Sequence, residues 1–175
     1  KSIGAHAFRG CPKLANIAIS SVESIGEQAF RSCKALTSLS IPASVKTIGD
    51  DAFYDCTGLN NLRIEDSTTP LMIGYTYEST YEYGPFYDSP LQTIYCGRDV
   101  EQAQETGELW PASTWDSGTF AHKFYDAVDV KVTIGPKVTT LPNYMFAYLP
   151  ITEIVIPNGV TTLRTGVFEE CDNLT

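Results

Sequence analysis

The chain contains no apolar run approaching the roughly eighteen residues that a membrane-spanning helix requires. It also lacks an excess of positive charge: twelve Lys and Arg against twenty-one Asp and Glu give a net charge of −9 over 175 residues. Nucleic-acid binding depends on clustered cations that displace counterions from phosphate, so nucleic acid is not an expected partner, nor is insertion into a membrane. Catalytic signatures are missing too. There is no Gly-x-Ser-x-Gly, no His-Glu-x-x-His, no phosphate-binding Gly-rich loop and no Gly-x-Gly-x-x-Gly, and only two histidines, His6 and His122. No activated nucleophile pair is visible. The reading is therefore of a non-enzyme that needs no cofactor and no metal.

What is present is repetition. Ile3-Gly4-Ala5-His6-Ala7-Phe8-Arg9-Gly10-Cys11 returns as Ile25-Gly26-Glu27-Gln28-Ala29-Phe30-Arg31-Ser32-Cys33 and again as Ile48-Gly49-Asp50-Asp51-Ala52-Phe53-Tyr54-Asp55-Cys56, at periods of 22 and 23 residues. A fixed period of this length specifies stacked rungs, each unable to bury its apolar side alone. Between copies, Leu36-x-x-Leu39-x-Ile41-Pro42 alternates with period two, so it reads as a short strand with Leu39 and Ile41 facing the core. Pro42, with no amide hydrogen for a ladder, ends it. The Ile-Gly pair then turns the chain, and Ala-Phe-x-x-Cys reads as a tight helical turn on the opposite wall.

The order Ile-Gly-x-x-Ala-Phe-x-x-Cys-x-x-Leu-x-x-Ile/Leu-x-Ile-Pro resembles the BspA-like (Treponema-type) leucine-rich repeat family, over nearly the whole chain. The resemblance implies an α/β leucine-rich repeat solenoid, a right-handed superhelix with one short parallel strand per rung and short helical turns opposite. It also implies a bacterial cell-surface or secreted protein of adhesin type, engaging host or matrix proteins or other cells, with no catalytic residues to carry over.

Along a single domain, 1–175, the rungs read as 3–24, 25–47, 48–64, 84–100, 120–140, 141–162 and 163–175, with insertions at 65–83 and 101–119. Phe86, Phe120, Phe146 and Phe168 continue the Phe column. Ile151, Ile154 and Ile156-Pro157 read as the strand of rung six, and Leu71-Met72-Ile73 as the return arm of a hairpin on Leu62-Arg63-Ile64. The chain opens inside one rung and stops at Leu174 before the strand of another, which predicts a longer native solenoid with capping ends.

Cys11, Cys33, Cys56 and Cys171 each lie three residues after the repeat's Phe, and Cys96 takes the place of Ile19 and Ile41. Columns of this kind favour buried thiols over bridges, and zinc would need four ligands converging on a point. His6 aligns with Gln28 and Asp51 in its sister rungs, so it reads as a solvent-facing filler. The acidic groups Asp50-Asp51 with Asp55, Asp126 with Asp129, and Glu169-Glu170 fit no calcium loop and read as solvated surface.

Two places remain for recognition. The outward strand positions form the columns Asn16, Ser38, Asn61, Thr93, Lys131, Glu153 and Ala18, Ser40, Arg63, Tyr95, Thr133, Val155. Side chains become larger from rung three onward, and Arg and Tyr are types that concentrate at interface centres. Asn61, Arg63, Thr93, Tyr95, Lys131, Thr133 and Glu153 are therefore the candidate ligand contacts, although small polar columns also suit any exposed sheet. The insertions supply a second set: Tyr75, Tyr77, Tyr81, Tyr83, Trp110 and Trp115. Their tyrosines read either as a recognition surface or as a hairpin with cross-strand aromatic pairs. The expected partner is a protein ligand. The rival readings are a structural spacer and, less favoured, an enzyme built on the insertions.

Overall fold

A computed structural model describes residues 1–74, 76–78, 81–102, 120 and 129–175, with side chains of 76–78, 81–83 and 102 outside the description. Apolar residues at fixed rung positions fill one continuous core, from Ile19 and Ile25 through Phe30, Leu36, Leu62, Phe86 and Ile94 to Phe146 and Val167. The strands are short because each rung offers only a few residues to each sheet. In chain order they are β1 (Ser2–Ile3), β2 (Ser24–Ile25), β3 (Ser38–Ile41), β4 (Thr47–Ile48), β5 (Asn61–Ile64), β6 (Leu71–Ile73), β7 (Thr76–Glu78), β8 (Tyr81–Tyr83), β9 (Thr93–Cys96), β10 (Val100–Gln102), β11 (Lys131–Ile134), β12 (Thr140–Leu141) and β13 (Thr162–Leu163).

Two parallel sheets run along the stack. The first has the order β3-β5-β9-β11, and the second β1-β2-β4-β6-β10, with β12-β13 as a separate parallel pair. In the first sheet Leu39, Leu62 and Ile94 stand in register, as do Ile41, Ile64, Cys96 and Ile134, and all of these are buried. In the second, Ile3, Ile25, Ile48 and Ile73 align. The repeated glycine follows from how closely these rungs approach. A Cβ on Gly26 would lie 2.5 Å from the amide nitrogen of Ala5, and one on Gly49 2.5 Å from that of Glu27.

The opposite wall corrects the expectation of helical turns. Among the described residues there is no helix. Left-handed residues recur where a helix would have to continue: His6, Gln28 and Asp51 two before Phe, and Ser32, Asp55 and Gly10 two after it. Such residues interrupt right-handed winding. The backbone instead alternates between turn bonds within a rung (Ala29 N–H to Gly26 C=O, 3.3 Å) and bonds to the next rung (Phe30 N–H to Ala52 C=O, 2.8 Å). On this wall Phe8, Phe30, Phe53, Phe86, Phe120, Phe146 and Phe168 form one stack, with centroid spacings of 5.1 Å at the start and 5.8 Å at the end.

Leu71-Met72-Ile73 does not fold back on Leu62-Arg63-Ile64. As β6 it pairs in parallel with β4 and β10, so Ile73-Gly74 is the Ile-Gly element of its own rung. Ile64 to Ile73 takes nine residues where Ile41 to Ile48 takes seven, and this displaced repeat hides the match. The extra chain enters later, at one point of the rung. Ile73 to Phe86 takes thirteen residues and Gln102 to Phe120 takes eighteen, against five from Ile25 to Phe30. The first of these additions contains an antiparallel hairpin, β7 with β8.

The expected strand of rung six is also absent. β11 is the last strand of its sheet, and residues 151–156 run as irregular chain. The ties there form before the strand position, from Val130 N–H to Pro150 C=O (3.0 Å) and from the Thr152 hydroxyl to Asp129 (2.9 Å).

The column of thiols is a hydrogen-bonding device. Three of its four Sγ atoms donate to the Phe carbonyl of the preceding rung: Cys33 to Phe8, Cys56 to Phe30 and Cys171 to Phe146, each at 3.2 Å. In the fourth rung Ser89 takes the place, donating to Phe53 at 2.9 Å. All five cysteines are free. Burial pushes the thiols of Cys56 and Cys96 up to about 12.

Among the described residues, two charged side chains are sealed inside. Asp51 is 7% exposed and pairs with Arg31 at 3.2 Å, so it is not the solvated surface acid expected from the sequence. Arg98 is fully buried. Its guanidinium donates to the carbonyls of Pro42 (2.9 Å), Ala43 (3.3 Å) and Val45 (2.8 Å).

Candidate functional site: the outer sheet face

Strand alternation puts one set of side chains of β3, β5, β9 and β11 into the core and the other out. The register makes two straight outward columns, Ser38–Asn61–Thr93–Lys131 and Ser40–Arg63–Tyr95–Thr133. Six of the seven outward strand candidates thus share one continuous face. Glu153 is exposed but lies on the irregular chain beyond β11. Of the insertion candidates, Tyr77 lies on β7 and Tyr81 and Tyr83 on β8, where the backbone register pairs Tyr77 with Glu82, Tyr81 with Glu78 and Tyr83 with Thr76. The hairpin therefore forms without directly opposed tyrosines at those positions. Tyr75, Trp110 and Trp115 lie outside the described residues, as do His122 and Asp126.

The centre of the face is built from three residues. The Arg63 guanidinium sits 4.0 Å above the Tyr95 ring, a cation–π arrangement that fixes both. The Tyr95 hydroxyl donates to the Asp66 carboxylate, 2.9 and 3.0 Å from its two oxygens. Arg63 lies 3.9 Å from the same carboxylate. Partial burial first, and the Asp66 carboxylate second, raise the Tyr95 phenol above its ordinary value of 10.0, with Arg63 working against them.

Around this centre the Thr93 hydroxyl donates to the Asn61 side-chain oxygen, and the Asn61 amide donates to Asn60. Glu65 accepts from the Ser40 hydroxyl (3.4 Å) and from Ala43 N–H (3.2 Å). Asp66 is the residue that sequence reasoning missed, because 65–83 reads as an insertion. Its signal is the lengthened Ile64-to-Ile73 spacing. Among the described residues, no three His, Cys, Asp or Glu side chains gather as metal ligands. No helix among them is long and apolar enough to cross a membrane.

Parallel strands stacked at a fixed repeat, a spine of phenylalanines and an outer strand face define a solenoid of the leucine-rich repeat class. The chain belongs to the BspA type leucine rich repeat region family, whose model matches it in six copies over residues 1–81 and 120–175. No curated protein and no solved structure matches the chain. Leucine-rich repeats are in general non-catalytic modules that mediate protein–protein contacts.

Proposed function

We propose that this chain is the binding module of a bacterial cell-surface or secreted protein of adhesin type, and that it engages a host, matrix or other cell-surface protein through the outer face of β3, β5, β9 and β11. Asn61, Arg63, Thr93, Tyr95, Lys131 and Thr133 make the contact. The observation that carries this reading is the Arg63–Tyr95–Asp66 cluster. It holds an Arg and a Tyr, residue types enriched at interface centres, in fixed positions on a rigid sheet. Ordering those side chains beforehand lowers the entropy lost on binding.

The test is a variant carrying Arg63→Ala, Tyr95→Ala and Lys131→Ala, assayed for adherence to cells and matrix alongside thermal unfolding. Adherence falls by about tenfold or more while the melting temperature stays within a few degrees. Unchanged adherence would favour the spacer reading, in which the repeats only hold another domain away from the cell.

A further inference from the structure

We infer that the partner presents carboxylates to this face: an extended acidic segment of a protein, with one carboxylate taken by Arg63 and a second by Lys131. The inference rests on the reading of the sheet face as the binding surface and names the chemistry of what lies on it. The eight outward residues of the four strands, Ser38, Ser40, Asn61, Arg63, Thr93, Tyr95, Lys131 and Thr133, include two cations and no carboxylate. The chain as a whole bears −9.

Two carboxylates also reach the face, Glu65 beside it and Asp66 at its centre, and both are held in place by donors of the face itself. Glu65 accepts from Ser40 and Ala43 N–H, and Asp66 accepts the Tyr95 hydroxyl. Asp66 thereby fixes the ring under Arg63, while its 3.9 Å separation from the guanidinium is the limit of an ion pair. Arg63 remains half exposed, and a guanidinium held flat on a ring keeps its planar N–H edge for a carboxylate. Lys131 is exposed and has no ion pair among the described residues. Glu153, beyond the β11 edge, sets an acidic limit on that side.

Spacing defines the segment further. Arg63 aligns with Tyr95 and Thr133, so Lys131 lies two strands across and two residues back. That places the two Cα atoms about 12 Å apart. In an extended peptide, side chains four residues apart share a face about 13 Å apart. The hydroxyls of Thr93, Tyr95 and Thr133 between them suit the polar backbone of such a segment.

The test uses the chain with a short fluorescent peptide alternating glutamate and serine, a matched lysine–serine peptide, and heparin as a sulfated glycan. The acidic peptide binds and the lysine peptide does not. Binding weakens at least about tenfold between roughly 20 and 200 mM NaCl. It falls about tenfold in Arg63→Ala and in Lys131→Ala, falls less in Arg63→Lys, and is unchanged in Lys13→Ala, an exposed cation off this face. Equal loss in Lys13→Ala, equal binding of the lysine peptide, or heparin binding without peptide binding would each overturn the inference. Adherence that needs Arg63, Tyr95 and Lys131 yet ignores both salt and competing acidic peptide would overturn it too, while leaving the sheet face as the binding surface.

Discussion

The two walls of the solenoid use their repeats differently. On the turn wall the same residue types return at the same depth, and each has a partner one rung away: Phe on Phe, thiol or hydroxyl on the Phe carbonyl. On the outer sheet face the inward residues repeat while the outward ones change, from Ser40 to Arg63 to Tyr95 to Thr133. Strict repetition marks positions committed to stability, and the proposed function assigns the varied positions to recognition. The contrast predicts that damage to the turn wall unfolds the protein, whereas damage to the sheet face silences it.

The largest effect is expected from Phe53→Ala. Phe53 is fully buried between Phe30 at 5.1 Å and Phe86 at 5.3 Å, so its loss opens a cavity in the middle of the stack. Urea unfolding should show a loss of about 3–5 kcal/mol. A loss below about 1 kcal/mol would mean that the stack is not the spine. Arg98→Ala comes next, because it strands the Val45 carbonyl in the core and takes the donor from the partly buried carbonyls of Pro42 and Ala43. The expected cost is about 3 kcal/mol. Arg98→Met, which restores volume but no donors, should recover only part of it.

Both predictions bear on how much the sequence discloses. The Phe stack is legible in full, down to Phe120 in a worn rung, because an aromatic at a fixed interval survives the loss of its neighbours. Arg98 is not legible. A cation two residues after a strand looks exposed until its carbonyl acceptors in residues 42–45 are known. The two-residue lengthening between Ile64 and Ile73 conceals β6 and Asp66. Ser89 escapes notice because serine is small and polar, yet it keeps the donor that the column needs. Asp51 looks like surface because His6 and Gln28 share its position, and its burial depends on Arg31 from the previous rung. Of the candidate site, the columns are legible from period-two alternation, while the centre that locks Arg63 and Tyr95 requires the register.

Smaller effects sharpen the contrast. Cys56 and Cys96, raised by burial from 9.0 to about 12, keep their protons in the folded state after unfolded thiols have lost theirs. Their contribution is complete below pH 9.0 and is lost as pH rises towards about 12. Thermal melts across that window should shift downwards, and less so in Cys56→Ser. At neutral pH Cys56→Ser should cost less than about 1 kcal/mol, since Ser89 makes the same bond one rung on; Cys56→Val, without a donor, should cost more. The smallest effect is Asp66→Asn. It should leave stability nearly unchanged while bringing the Tyr95 phenol back towards its ordinary value, read by ultraviolet titration of the tyrosines.

The division between the two walls is tested most directly by one paired measurement: adherence and thermal unfolding recorded together for Phe53→Ala and for the Arg63→Ala, Tyr95→Ala, Lys131→Ala variant. The expected result is a crossed pattern. The triple variant melts like the parent and no longer adheres, while Phe53→Ala melts far lower and adheres normally at temperatures where it remains folded. A triple variant that adheres like the parent, or one that unfolds as readily as Phe53→Ala, would contradict the division between a wall that builds and a face that binds.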